Sequence, residues 1–355
     1  MTDKLKRIAF LDGLRGVAIL MVVLFHAYAR WTGLVPYGDK FSHFFLFSYG
    51  SLGVYLFFMI SGFVILMSLE KTTDFFGFIY HRWLRLFPAM FIVSILIFVT
   101  ARGLFPERPA GIPSVRDLLS GLTFIDPAFL SHVIHSPHGM LEGSFWSLFV
   151  EVKFYIIFGL MFFTFGENPA IATLIGLFIS NVLISLNIID RHFGYLFSTE
   201  YMGWFASGAI YYLYFKSGNK KLLFLGLLMS LISSVNFYCL HIDTGAMCAA
   251  IIMSLFFFFI MISEKLRSIM GSKSLLFLGF ISYPLYLVHE NMMVSLIVKT
   301  GRWMPFMPVI LLPIIPIASV IAVAGLVAKY AEPGFRDILR RILEMRMRTD
   351  QVTHH

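Results

Sequence analysis

The chain has little of what a soluble enzyme uses. Only two of its 355 residues are cysteine, Cys239 and Cys248, so it builds neither a disulfide framework nor a thiolate metal site. Charged side chains make up 14% of the residues, too few to cover a water-facing surface. There is no phosphate-binding Gly-rich loop, no Gly-x-Ser-x-Gly elbow and no His-x-x-x-His pair on a helix. His132, His135 and His138 recur every third residue, but in a loop with Pro and Gly that suits solvated side chains better than metal ligands. Neither an internal repeat nor a separate soluble domain can be made out. Basic residues do not alternate with exposed aromatics, which argues against nucleic acid as a partner.

What the chain has in abundance is hydrocarbon. It is 58% hydrophobic, with a mean hydropathy of +0.81 and 40 Phe. Apolar runs lie near residues 8–30, 44–69, 86–104, 144–165, 170–189, 199–215, 222–241, 244–263, 275–298 and 306–330. Each approaches the ~20 residues that a helix needs to cross a bilayer. The expected fold is therefore all-α, a polytopic integral membrane protein of about ten transmembrane helices. The run at 199–215 is short, and residues 105–143 have room for a re-entrant or interfacial helix, an acceptor-facing lid or a plain connector. The first run lacks a small-residue cleavage site and reads as a span, not a removable signal.

Basic residues give the orientation. With the N-terminus in the cytoplasm, 18 Lys and Arg fall on the cytoplasmic side and 8 on the other, leaving Arg15 and Lys153 inside the membrane. Lys4, Lys6, Arg7, Arg346 and Arg348 are among the 18. Both termini are expected in the cytoplasm. The net charge of +8 is then a topology signal and an affinity for anionic headgroups. Residues 1–335 read as one membrane domain, and 336–355 as a basic amphipathic tail lying on the inner leaflet.

Polar groups inside the apolar runs carry the chemistry. Arg15 and His26 stand eleven residues apart on the first span. At about 100° and 1.5 Å per residue they share one face and lie roughly 16 Å apart along the axis. Ionisable groups at membrane depth are expensive and usually face a cavity or a pathway. Asp12, one turn before Arg15, is the nearest counter-ion. Ser61 and Gly62 interrupt the second span, where a small pair lets another helix or a slim ligand approach. Arg82 and Arg85, one turn apart beside His81, stand before the third span; they anchor the chain and make a seat for phosphates. Trp146, Ser147 and Glu151 fall near one side of the fourth span, with Tyr155 a turn beyond. A buried Glu there is a proton carrier, a partner for Arg or His, or a receptor for a substrate hydroxyl.

Together these segments resemble the acyltransferase family 3 membrane proteins over nearly the whole chain. LDGLRGVAILMVVLFHA is similar to that family's opening segment, with its Arg and His at Arg15 and His26. The Ser-Gly-Phe element corresponds to Ser61, Gly62 and Phe63, and HRWLRLFPA resembles the Arg-x-x-Arg segment. FWSLFVEVKFY matches the Trp-Ser-Leu-x-x-Glu element, while LGFISYPLYLVHE and YAEPGFR resemble the late-helix and C-terminal signatures. The resemblance implies transfer of an acyl group, usually acetyl, from cytoplasmic acyl-coenzyme A to a hydroxyl of a surface or exported carbohydrate. It implies no permanently bound cofactor; acetyl-CoA is a co-substrate, and separate polysaccharide-assembly proteins are possible partners. It further implies a multi-pass protein of the bacterial inner membrane. Some relatives carry an extra hydrolase-like domain after the last span; this chain is expected to act alone or with a separate partner.

On that reading His26 is the base or acyl carrier, Arg15 supplies donor-side charge, and Glu151 orients His26 or binds a sugar hydroxyl. Arg15, Arg82 and Arg85 are the expected donor-binding residues. Asp12, Ser61, Gly62, Phe63, Trp146, Ser147, Tyr283 and His289 are the expected lining. Succinyl transfer and acylation of a macrolide-like small molecule fit the same residues. A transporter using the intramembrane charges would call for paired helix breaks, but Pro284, Pro313 and Pro316 have no counterparts in the first half.

Overall fold

The computed structural model describes residues 3–137, 139–239 and 243–353, with side chains for 9–137, 139–236 and 243–342. His138 lies outside the described residues, as do the side chains of Lys4, Lys6, Arg7, Cys239, Arg346 and Arg348. The described chain is helical, with no strand. It runs α1 (Asp3–Phe25), a π-helical turn (His26–Arg30), α2 (Phe45–Ser48), α3 (Gly53–Leu69) and α4 (Phe75–Thr100). Short α5 (Val115–Thr123) and α6 (Pro127–Ile134) precede α7 (Trp146–Phe165), α8 (Glu167–Ser185), α9 (Arg191–Phe197) and α10 (Met202–Ser217). Then come α11 (Lys220–Cys239), α12 (Thr244–Ile262), α13 (Glu264–Met270), α14 (Lys273–Trp303), α15 (Ile314–Leu326) and α16 (Glu332–Thr353).

Seven stretches among the described residues are long and apolar enough to cross a bilayer, with an eighth if α13 and α14, bent by 62°, form one broken span. Helices occupy all ten expected runs, but α10 and α11 fall outside that set. α10 has 16 residues. At 1.5 Å each it reaches about 24 Å, short of the ~30 Å hydrocarbon core. α11 opens with Lys220 and Lys221 and carries Ser230, Ser233 and Ser234. One boundary also differs from the sequence reading. α4 starts at Phe75, so His81, Arg82 and Arg85 lie within the helix of the third span and not before it. The basic tail lies on α16.

The chain divides into two compact units, residues 1–33, 37–80 and 146–280 in one and 34–36, 81–145 and 281–355 in the other. In the first unit α10 is the hub, packed by α3, α8 and α11. Met202 through Tyr212 are buried without interruption, as a helix enclosed on every side must be. Glycine allows the contact with α3. A Cβ at Gly62 would stand 2.0 Å from the Phe205 carbonyl oxygen, and one at Gly208 would stand 1.9 Å from that of Met59. Backbone thus meets backbone, which lets dispersion hold helices together where lipid offers no hydrophobic drive.

α1 is gripped against α3 in the same way, with Gly53 against Ala18 and Gly50 against Met21. Those pairs fix an antiparallel register, and Phe10 meeting Phe63 at 6.4 Å continues it. In this register Ser61 lies level with the Asp12 turn, and His26 lies beyond Gly50.

The crossing predicts a graded effect. Gly208→Leu removes the α3–α10 contact and costs more than the ~1–3 kcal/mol of ordinary overpacking, because backbone cannot step aside. Gly176→Ala, on an α8 position with no atom nearby, is neutral or stabilising by up to about 1 kcal/mol. Thermal melts of detergent-purified variants, followed by size exclusion, measure both.

Candidate active site

On α1, Arg15 Nη1 donates to Asp12 Oδ1 at 2.6 Å, the pair that one-turn spacing predicts. Arg15 is mostly covered and Asp12 about half exposed, so the pair stands at the edge of the unit's interior. The helix stays α-helical through Phe25 and then loosens into the π turn that His26 opens. Such turns are rare and frequent at functional sites. His26 Nδ1 lies 2.9 Å from the Val22 carbonyl oxygen. That oxygen only accepts, so in the neutral ring the proton sits on Nδ1 and Nε2 carries the lone pair.

Aromatic packing steadies this turn. Tyr28 stacks on Phe47 at 4.4 Å, and Tyr37 donates its hydroxyl to the Ala27 carbonyl. Phe25 meets the His26 ring edge-on at 5.0 Å.

Glu151 sits elsewhere in the same unit. Ser61 Oγ donates to its Oε1 at 2.6 Å, and the Tyr155 hydroxyl donates to the same oxygen at 2.5 Å. The α1–α3 register puts Ser61, and with it Glu151, level with Asp12 and Arg15. His26 is about fifteen residues further along α1, or roughly 20 Å at 1.5 Å per residue. Glu151 therefore does not orient His26 in this structure. One turn and more toward the other end of α7, Trp146 packs on Tyr201 at 5.2 Å and on Phe58 at 6.2 Å.

Two of the expected lining residues are closely packed. Gly62 is occupied by the Phe205 backbone. Phe63 is fully buried among Phe10, Tyr212 and Phe215. Ser147 is buried too. Lys153 is held by the Tyr195 carbonyl at 3.0 Å and lies over the Tyr195 ring.

In the second unit, Arg82 is half-buried and Arg85 exposed on α4. Phe335 stacks on Phe91 at 5.0 Å, which brings Glu332 within electrostatic reach of Arg85 and Arg336. Tyr283 donates to the Leu86 carbonyl at 2.9 Å, tying α14 to α4 near Pro88. His289 is fully buried, with Nδ1 2.8 Å from the Tyr286 carbonyl.

Beside it lies a polar cluster that the sequence reading missed. Glu290 accepts from the Ser144 backbone at 2.6 Å, and Glu142 accepts from the Asn291 backbone at 3.0 Å. Arg108 donates to the Leu141 carbonyl, and Ala110 N to Asn291 Oδ1 at 3.1 Å. The side chains of Arg108, Glu142, Ser144, Glu290 and Asn291 are all buried. A signal was present, since Glu290 is an acid in the middle of an apolar run. Burial pushes the Glu142 carboxyl well above the usual range; the Arg108 guanidinium opposes this and Glu290 adds to it. A raised folded-state value means that this contribution to stability holds at low pH and fades as pH rises through it. Protection factors of residues 105–145, taken relative to the intrinsic exchange rate at each pH, are accordingly expected to fall as pH rises above the ordinary carboxylate range, and Glu142→Gln to remove that fall.

Among the described residues no group of three or more His, Cys, Asp or Glu is placed to hold a metal. Residues 8–330 match a protein family described as an acyltransferase domain. The chain is 31% identical over 179 residues to an O-acetyl transferase of Shigella phage Sf6, covering 49% of this chain and 51% of that protein. It is 28% identical over 174 residues to putative O-acetyltransferases of Staphylococcus aureus strains COL and MSSA476, covering 45% of this chain and 26% of theirs. The chain thus spans about half the length of the phage protein and about a quarter of the staphylococcal ones. No solved structure matches it.

Proposed function

Because the chain belongs to the acyltransferase family, we propose that it is a membrane-bound O-acetyltransferase. It takes an acetyl group from cytoplasmic acyl-CoA and passes it to a hydroxyl of a cell-surface or exported carbohydrate, or of its lipid-linked precursor. The family match over nearly the whole chain carries this reading. The names of the relatives support acetyl as the group and oxygen as the acceptor atom. The count of basic residues supports cytoplasmic termini and a multi-pass protein of the bacterial cell membrane, the inner one where there are two.

The phosphates of the donor call for cations, and Arg15, Arg82 and Arg85 are assigned that role. Asp12 keeps Arg15 oriented along its helix. The thioester travels on the pantetheine arm toward His26. There Nε2 accepts the proton of the acceptor hydroxyl as its oxygen attacks the thioester carbon. The tetrahedral intermediate collapses, the carbon–sulfur bond breaks, and the imidazolium returns its proton to the departing thiolate. The ring is regenerated, and the products are an ester and free coenzyme A. The bond from Nδ1 to Val22 supports this role, because it leaves the basic lone pair on the other nitrogen. Glu151, level with Arg15, is assigned to the donor-side half, where Ser61 and Tyr155 hold its carboxylate in place.

The test is mass spectrometry of surface glycans from the native host lacking this gene, complemented with wild type or His26→Ala. The expected result is an alkali-labile acetyl restored by wild type, and reduced at least about a hundred-fold by His26→Ala, the low end for a lost acid–base catalyst. Identical glycans with and without the gene would overturn the carbohydrate acceptor. Full activity of His26→Ala would remove His26 from the mechanism.

A further inference from the structure

The hairpin of α5 and α6 is built inside out. α5 turns its small polar side inward: Ser120 is 0% exposed, and a Cβ on buried Gly121 would meet Ser94 Oγ of α4 at 2.9 Å. Its apolar side faces away, with Val115 73% exposed and Leu119 also exposed. At 100° per residue, Val115, Leu118, Leu119 and Leu122 share an arc of about 100°. α6 buries Pro127 and Leu130 and leaves Phe129 and Val133 outside, Val133 being 55% exposed.

This is a defined element, not a slack connection. Ser114 and Asp117 form a capping box at the start of α5, and Asp126 caps α6 through the Ala128 amide at 2.9 Å. Asp117 also accepts from the Gly139 amide at 2.6 Å, and Arg116 donates to Ser136 at 2.7 Å, closing the hairpin. Its flanks are tied to α14 by Arg302 and Glu107 at 2.6 Å, and by Asn291 bonding Ala110.

An apolar face turned outward on a rigid element calls for a cover. The neighbouring helix ends in this unit say what it is. Val99 and Leu104 at the end of α4, and Trp303 and Phe306 at the end of α14, are strongly exposed apolar side chains. The hairpin follows the α4 end through a segment that Arg302 ties to the α14 end, and it exposes apolar side chains of its own. We propose that the α5–α6 hairpin lies in the membrane interface, its Val115, Leu119, Phe129 and Val133 face sunk into the acyl chains of the leaflet at that end. It is a monotopic paddle built into a polytopic protein. The inference rests on the packing alone and is independent of the reaction assigned above.

Nitroxide labels on single cysteines test it, in the full chain with Cys239 and Cys248 replaced by Ser and reconstituted into phosphatidylcholine vesicles. Val115→Cys, Leu119→Cys and Val133→Cys report the apolar face; exposed Ala128→Cys reports the side turned roughly 110° away. The expected result is oxygen collision severalfold above collision with a water-soluble nickel chelate at 115, 119 and 133, and the reverse at 128. Equal chelate access at all four positions would mean a face in water and overturn the proposal. Protection from both reagents at 115, 119 and 133 would mean that protein, a second copy or another chain, covers the face, and would overturn it as well.

Discussion

Hydrocarbon cannot hydrogen-bond, and the arrangement of polar groups in this protein follows from that fact. Three ionisable side chains carried into apolar segments take protein partners: Arg15 takes Asp12, His26 takes the Val22 carbonyl, and Glu151 takes Ser61 and Tyr155. An unsatisfied polar group at this depth costs several kcal/mol, comparable to the stability of an entire domain. The partners also fix direction. A histidine whose Nδ1 is pinned to a carbonyl has one basic nitrogen, and a carboxylate gripped at one oxygen by two hydroxyls cannot turn. Satisfying the lipid constraint therefore orients the groups that chemistry needs.

The second constraint is close approach. Gly62 and Gly208 let α3 and α10 meet at backbone distance, while Gly13 and Gly279 do the same for α1 with α13 and the start of α14. Side chains of ordinary size would hold these helices apart and let their registers drift. With the register fixed, the intramembrane groups of the first unit fall into two levels. Asp12, Arg15 and Glu151 share one, and His26 with its π turn holds the other. Two levels suit the donor proposed above, which is long, charged at one end and reactive at the other.

Much of this could be read from the amino acids because the bilayer simplifies the code. Spans show as apolar runs, and a charge inside one stands out, as Arg15, His26 and Glu151 did. The rule failed where it was applied unevenly. Glu290 satisfies it as well as Glu151 does, yet its partners Glu142 and Arg108 come from a connecting segment whose polarity looked ordinary. Arg82 and Arg85 stand before the expected third span, yet α4 begins at Phe75 and holds both within its own first turns.

By itself the sequence determined the helical class, the membrane setting and the one-turn pairing of Asp12 with Arg15, each from local composition and spacing, while the family shows in the resemblance of segments spread along the whole chain. Only the tertiary structure decided that Gly62 and Phe63 are tightly packed, that Glu151 stands with Arg15 and apart from His26, and that α5 turns Val115 and Leu119 outward. Those facts depend on which helix lies against which and at what register, and a one-dimensional pattern does not encode the height at which two distant helices meet.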